Sequence, residues 1–166
     1  MKKSIFFSVM LLISSIAFAQ TKFTVPELTD VQKLQTARTL GNNNIIAAIN
    51  FAKSQGLTAA EYGEYEGKLF PWNKEDGFEG WINGFLYMNV AVARNVEIME
   101  QSENKILVRV SDIYPEFEQR GKMLGVTYEV FLKWYEIMFI EIFNNLDCHY
   151  SQVNIDEGMK ITIEKK

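Results

Sequence analysis

The chain of 166 residues holds one cysteine, one histidine and three prolines, and each scarcity excludes something. A lone Cys148 forms no internal disulfide, so the fold has to be stabilised by packing. With His149 as the sole imidazole and Cys148 as the sole thiol, a structural zinc site lacks its four protein ligands, and no metal is expected. No serine sits in a Gly-x-Ser-x-Gly elbow, and no glycine-rich loop leads from a strand into a helix, so the sequence supports neither that hydrolase motif nor a nucleotide-phosphate cradle. Low-complexity tracts, proline-rich linkers and long charge runs are also missing, which leaves no internal domain boundary. Basic residues form no patch, which argues against nucleic acid as a partner.

What is present begins with an address. Met1-Lys2-Lys3, the apolar stretch Ser4 to Ile16 and the small residues of Ala17-Phe18-Ala19 before Gln20 predict a secretory signal peptide over residues 1–19. The uncharged run is shorter than the roughly 20 residues that span a bilayer. No cysteine follows it to carry a lipid, so no stable membrane anchor is expected after cleavage. The expectation is an exported protein, periplasmic or extracellular, whose residues 20–166 form a single domain. Its 15 basic and 21 acidic residues leave it acidic. Twelve Phe, seven Tyr and three Trp supply a core without staples, since each large aromatic buries roughly 150–250 Å².

Hydrophobic periodicity predicts a helical N-terminal half. Pro26 opens a helix carrying Leu28, Val31, Leu34, Ala37 and Leu40, closed by Gly41-Asn42, and a second runs from Asn43 to Ser54. Thr58-Ala59-Ala60-Glu61 is a capping box, with Leu57 and Tyr62 placed as a hydrophobic staple, and the helix it starts ends at Pro71. Asp76 caps a fourth helix reaching Ala93. Alternation then takes over. Val96, Ile98, Ile106, Val108 and Val110 form a hairpin around Ser102-Glu103-Asn104. A short helix is expected over Glu116–Leu124, and a long helix, apolar nearly all round, over Tyr128–Asn144. Strands Cys148–Asn154 and Met159–Glu164 close the chain around Asp156-Glu157-Gly158. The fold class is therefore α+β, with a four-stranded, mostly antiparallel sheet from two hairpins packed against the long buried helix. The echo between Gly56-Leu57-Thr58 and Gly125-Val126-Thr127 is read as two similar helix entries, not a duplication.

Two places draw attention for chemistry. Asp147-Cys148-His149-Tyr150 unites thiol, imidazole and carboxylate, but neighbours on a strand point to opposite faces and cannot converge on one ion or substrate. The segment Tyr62–Tyr87 packs eight Tyr, Phe and Trp residues into 26 positions. A core built of aromatics is one reading. An aromatic-lined cavity for a small apolar or lipid-like ligand is the other, with Trp72, Trp81, Phe85, Trp134 and Glu141 as its expected binding residues. Glu141 lies on the most apolar helix, with Arg94 or Arg120 as expected counter-charges, and Glu129–Lys133 reads as a surface pair. Alternatives are a hydrolase-like enzyme using Glu141 or His149, and a structural or protein-interaction domain. Catalytic residues, cofactor and oligomeric state are unassigned by the sequence.

The helix–hairpin–helix–hairpin order, the helix begun by Gly125-Val126-Thr127 and the closing run Asp156-Glu157-Gly158-Met159-Lys160-Ile161-Thr162-Ile163 resemble the vinyl-reductase-like, heme–nitric-oxide and thiazoline-carboxylate hydrolase-like group of small α+β ligand-binding domains. The resemblance covers about the last 75 residues and implies a cavity between helices and sheet. This chain has Met159-Lys160 where members of that group often carry a cysteine, and its histidine lies on a predicted strand where the heme-binding type has one on a helix. No functional residue is carried over.

Overall fold

A computed structural model describes residues 28–114, 117, 120–156 and 158–166. The expected leader and the expected helix start at Pro26 lie outside the described residues. The first described helix, α1, spans Asp30–Ser54 and is capped by Thr29, whose hydroxyl accepts from the Gln32 N–H while the Gln32 carboxamide accepts from the Thr29 N–H at 2.9 Å. It runs straight through Gly41, so the two helices expected here are one. An interior glycine weakens a helix by about 1 kcal/mol relative to alanine, and neither a proline nor a left-handed residue interrupts the ladder at this point. The helix stops at Gly56, where φ is +87°. The N–H groups of Gly56 and Leu57 return to the carbonyls of Lys53 and Ala52, the paired bonds of a Schellman end.

Helix α2, Ala59–Leu69, carries the capping box that the sequence announces: the Thr58 N–H donates to the Glu61 carboxylate at 2.8 Å. A 3₁₀ turn, Lys74–Asp76, feeds α3, Gly77–Val92. Asp76 makes no side-chain cap, because its backbone is already helical instead of extended, and the carboxylate is not positioned over the first turn. Strands β1 (Ala93–Gln101) and β2 (Lys105–Ile113) form the first hairpin. Phe117 and Arg120 are helical as expected, whereas Glu116 lies outside the described residues. The expected extension to Leu124 does not form: Gly121, at φ +67°, ends the helical piece, and a small hairpin, β3 (Lys122–Met123) and β4 (Val126–Thr127), follows. Its two turn residues, Leu124 and Gly125, both have positive φ, as a tight hairpin of the right twist requires. Gly56 and Gly125 therefore do different work, one ending a helix and one turning a hairpin, although each precedes a threonine cap.

Helix α4, Tyr128–Asn145, is followed by β5 (Cys148–Ile155) and β6 (Gly158–Lys165). The sheet is antiparallel in the order β1-β2-β6-β5. Ile106, Val108 and Val110 stand opposite Ile163, Ile161 and Met159, and all six are buried; Lys160 and Glu164, which alternate with them, face solvent. One face of the sheet is thus apolar and carries the helices, as the period-two pattern dictates. Aromatic rings of α3 and α4 meet Tyr150 of β5: Phe85 at 6.5 Å, Phe139 at 5.8 Å and Phe143 at 5.9 Å between centroids.

Helix α2 packs on α4 instead of on the sheet. A Cβ added to Gly63 would stand 2.6 Å from the Trp134 carbonyl oxygen, and one added to Gly67 would stand 2.6 Å from the Met138 carbonyl oxygen and from the Glu141 Cβ. Two glycines four apart share one helical face, so they bring the two backbones together at adjacent turns.

Candidate functional site

The five residues expected to line an aromatic cavity do not surround one space. Phe85 is fully buried, edge-on to Phe139 and Phe143. Trp81 is buried, with its indole N–H donating to the Asn73 carbonyl at 2.7 Å. Trp72 is half-buried, edge-on to Phe70 and Phe143. Trp134 is buried near the other end of α4, against Phe131 and Tyr135. Phe85, Trp72 and Trp134 are packed against rings along α4, and Trp81 belongs to the same core. The apolar void that Trp134 borders, with Ile45, Met88, Tyr114 and Tyr135 among its walls, measures about 40 Å³, and Trp72, Trp81, Phe85 and Glu141 are not part of its lining. A volume little larger than the ~30 Å³ share of one water molecule does not take a lipid-like ligand as it stands.

Glu141 projects toward α2, where its β-carbon lies close to Gly67, and neither expected arginine answers its charge. The nearby cation is Lys68, whose ammonium is held charged chiefly by its hydrogen bond to Glu64 and to a lesser degree by Glu141. Lys133 bonds Glu136 at 3.0 Å, in place of the expected pair with Glu129. On β5, Cys148 is buried while His149 is exposed on the solvent face, beside Glu164 in the register. The sheet therefore stands between His149 and α4, and Glu141 and His149 do not share a cleft. Among the described residues no group of His, Cys, Asp and Glu side chains has the arrangement of a metal site, and no helix is long and apolar enough to cross a membrane.

Two polar contacts inside the helical layer were not anticipated. The Trp134 indole N–H donates to the Glu66 carboxylate at 2.8 Å. Burial raises the Glu66 pKa, against the opposing pull of its hydrogen bonds from Trp134 and Tyr62. Deeper in, fully buried Asn89 donates to the Phe85 carbonyl at 2.8 Å and accepts from the Tyr135 hydroxyl at 2.5 Å. Burial pushes the Tyr135 phenol far above its ordinary value. The signal for both lay in the helical pattern: Glu66 falls on the same stripe as Tyr62, Gly63 and Phe70, and Asn89 on that of Trp81, Phe85 and Val92. A polar residue on a buried stripe has to find a partner.

Spaces of ligand size lie elsewhere: two of about 480 and 460 Å³ beside Arg94 are lined mainly by polar side chains, and a third has an apolar floor. Phe78, Ile82 and Leu86 recur every fourth residue along α3 and face Ile98 and Ile106 of the first hairpin, across a groove of about 480 Å³. Ile82 and Ile106 form a buried floor, and Phe78 and Leu86 are half-buried. Ile98 belongs to the helix-covered face, since it stands opposite buried Val108, yet it is 44% exposed. The helical layer ends before it reaches this corner. Glu79, Asn83, Gln101, Ser102 and Glu103 make up the rest of the lining, which contains two carboxylates and neither lysine nor arginine. Comparison of the chain with protein-family models, with curated proteins and with solved structures finds no match.

Proposed function

We propose that the chain is a binding domain whose ligand lies in the groove between α3 and the β1–β2 hairpin. The observation that carries this reading is the inward-facing but uncovered Ile98, across from Phe78, Ile82 and Leu86. An apolar ligand body settles on those four side chains and removes them from water, at about 25 cal/mol per Å². Glu79 and Glu103 at the rim select a cationic or hydrogen-bond-donating group on the same molecule. The groove volume falls within the range of small-molecule sites, roughly 300–1,000 Å³. The residues of the leader, Met1 to Ala19, support a place of action outside the cytoplasm.

Octylammonium and octanoate test the reading, because they share a tail and differ in the sign of the head. Amide and methyl chemical shifts of Phe78, Ile82, Leu86 and Ile98 should move with octylammonium. Its affinity should exceed that of octanoate by a few fold, the effect of an exposed charge contact worth about 0.2–1 kcal/mol. Ile98→Asp should weaken binding without unfolding the chain, since Ile98 is already 44% exposed. Shift changes centred outside the groove, or equal affinity for both head groups, would overturn it.

A further inference from the structure

The groove opens along a sheet edge. β1 pairs with β2 on one side, and among the described residues no strand pairs with its other side. From Asn95 to Ile98 its register is uninterrupted, Asn95 opposite Ser111 through Ile98 opposite Val108, before a bulge between Ile98 and Glu100. Four to five residues of a guest strand match that stretch, about 14–17 Å at 3.4 Å per residue. The apolar ridge Phe78–Leu86 on α3 runs about 12 Å at 1.5 Å per residue, so edge and ridge are commensurate. Val96 and Ile98 point to the helical side, and the matching alternate side chains of a guest would fall between the strand and that ridge.

Charge selects the guest. Glu97 and Glu100 lie on β1 and Glu79 and Glu103 flank the groove; Arg109 of β2 stands opposite Glu97 and Arg94 is at the far end of β1, so among the described residues the carboxylates with no cation across from them in the register or the groove lining are Glu79, Glu100 and Glu103. A second copy pairing antiparallel about the Ile98–Met99 midpoint would set Glu97 against Glu100, and like charges directly opposite destabilise a strand pair. In that register the edge discourages its own copy, and its carboxylates favour a basic strand. We infer that the free edge of β1 receives an extended basic peptide, alternating apolar residues with lysine or arginine, as a fifth strand whose apolar side chains enter the α3 groove. This rests on the groove reading and names its ligand class: backbone hydrogen bonds supply affinity and the pocket supplies choice of side chain.

The probe is acetyl-Lys-Val-Lys-Ile-Lys-amide, with two N-methylated isomers, one methylated at Val and Ile and the other at the first two lysines that precede them. In a strand, successive N–H groups face opposite edges and alternate ones the same edge, so one isomer should lose about tenfold or more in affinity while the other binds like the parent. The parent should also slow amide exchange at Asn95–Ile98. Glu100→Lys, at an exposed position, should weaken the parent several fold, and a peptide with glutamate in place of lysine should bind more weakly still. Equal binding by both isomers and the parent, or equal binding by the glutamate peptide, would overturn the strand. If octylammonium binds the groove and the peptide does not, strand addition fails while the groove reading stands; if neither binds, both fail.

Discussion

The docking of α2 on α4 makes one substitution act with opposite signs at two glycines. Gly41 lies in the interior of α1 with nothing within 4 Å of an added Cβ, so Gly41→Ala gains helix propensity alone and should stabilise the fold by about 0.5–1 kcal/mol. Gly67→Ala gains a similar propensity, but its new methyl would stand 2.6 Å from the Met138 carbonyl oxygen and from the Glu141 Cβ, against 3.4–4 Å for ordinary contact. The helices would have to part by about 1 Å, and overpacking of this kind costs about 1–3 kcal/mol. Subtracting the propensity gain leaves Gly67→Ala neutral to about 2.5 kcal/mol destabilising. The difference between the two variants isolates the steric contribution at about 1–3 kcal/mol. Urea unfolding of both, with a common slope, reads it directly from the midpoints. The Trp134 indole resonance should move in Gly67→Ala and stay in place in Gly41→Ala, because the hydrogen bond to Glu66 crosses the same interface. Equal stabilisation by both alanines would refute the backbone-to-backbone contact.

Glu66 carries a raised pKa in the folded state, so folding holds its proton more tightly than the unfolded chain does. Its contribution to stability should then be greatest below the ordinary glutamate value and decline as pH rises from there through the raised folded-state value. Glu66→Gln should flatten that decline while keeping an oxygen for the Trp134 indole, and a pH series of urea midpoints for both chains checks it; an unchanged slope would count against the buried carboxylate. Tyr135→Phe leaves the Asn89 carboxamide oxygen buried without its donor and should cost about 1–3 kcal/mol, whereas the double variant with Asn89→Ala should cost less than the sum of the two single changes. Additive effects in that cycle would show that the 2.5 Å contact contributes nothing.

Elements whose signal is local were legible. The Thr58 capping box, the switch to period two after Arg94 and the alternation of Met159, Ile161 and Ile163 each depend on neighbours a few residues away, and each stands where the sequence places it. The break expected at Gly41 was not formed, because a glycine stop is decided by whether φ turns positive, and only Gly56 of the two adopts that angle. The β3–β4 hairpin is two residues long on each side, too short to show a period. Trp72, Trp81, Phe85 and Trp134 were legible as important and illegible as to role, since density of rings along the chain does not reveal whether their faces meet each other or a void. The rings have neighbouring side chains as partners. Ile98 was read as part of an alternating strand, and its register opposite Val108 turns it inward, but its exposure depends on where α3 ends laterally, which no local pattern encodes.

The two α2 glycines and the open corner have a common geometric cause. Four strand axes about 4.8 Å apart span about 14 Å. Helices α3 and α4 both bring rings against Tyr150 of β5, at the edge of the sheet far from β1. A helix laid over the exposed corner at Ile98 would close it. Helix α2 is diverted from the role because Gly63 and Gly67 let it approach the α4 backbone more closely than any side-chain-bearing face permits, and it becomes a second layer behind α4. α4 lies over β5, where its rings stack on Tyr150, so the strip left over falls on the opposite side of the sheet, at β1. Ile98 is exposed there although the alternation of its strand turns it inward, and the apolar row Phe78, Ile82 and Leu86 looks across the gap with no helix to meet it. The groove thus follows from how the helices are distributed over the four strands, with Glu79 and Glu103 at its rim.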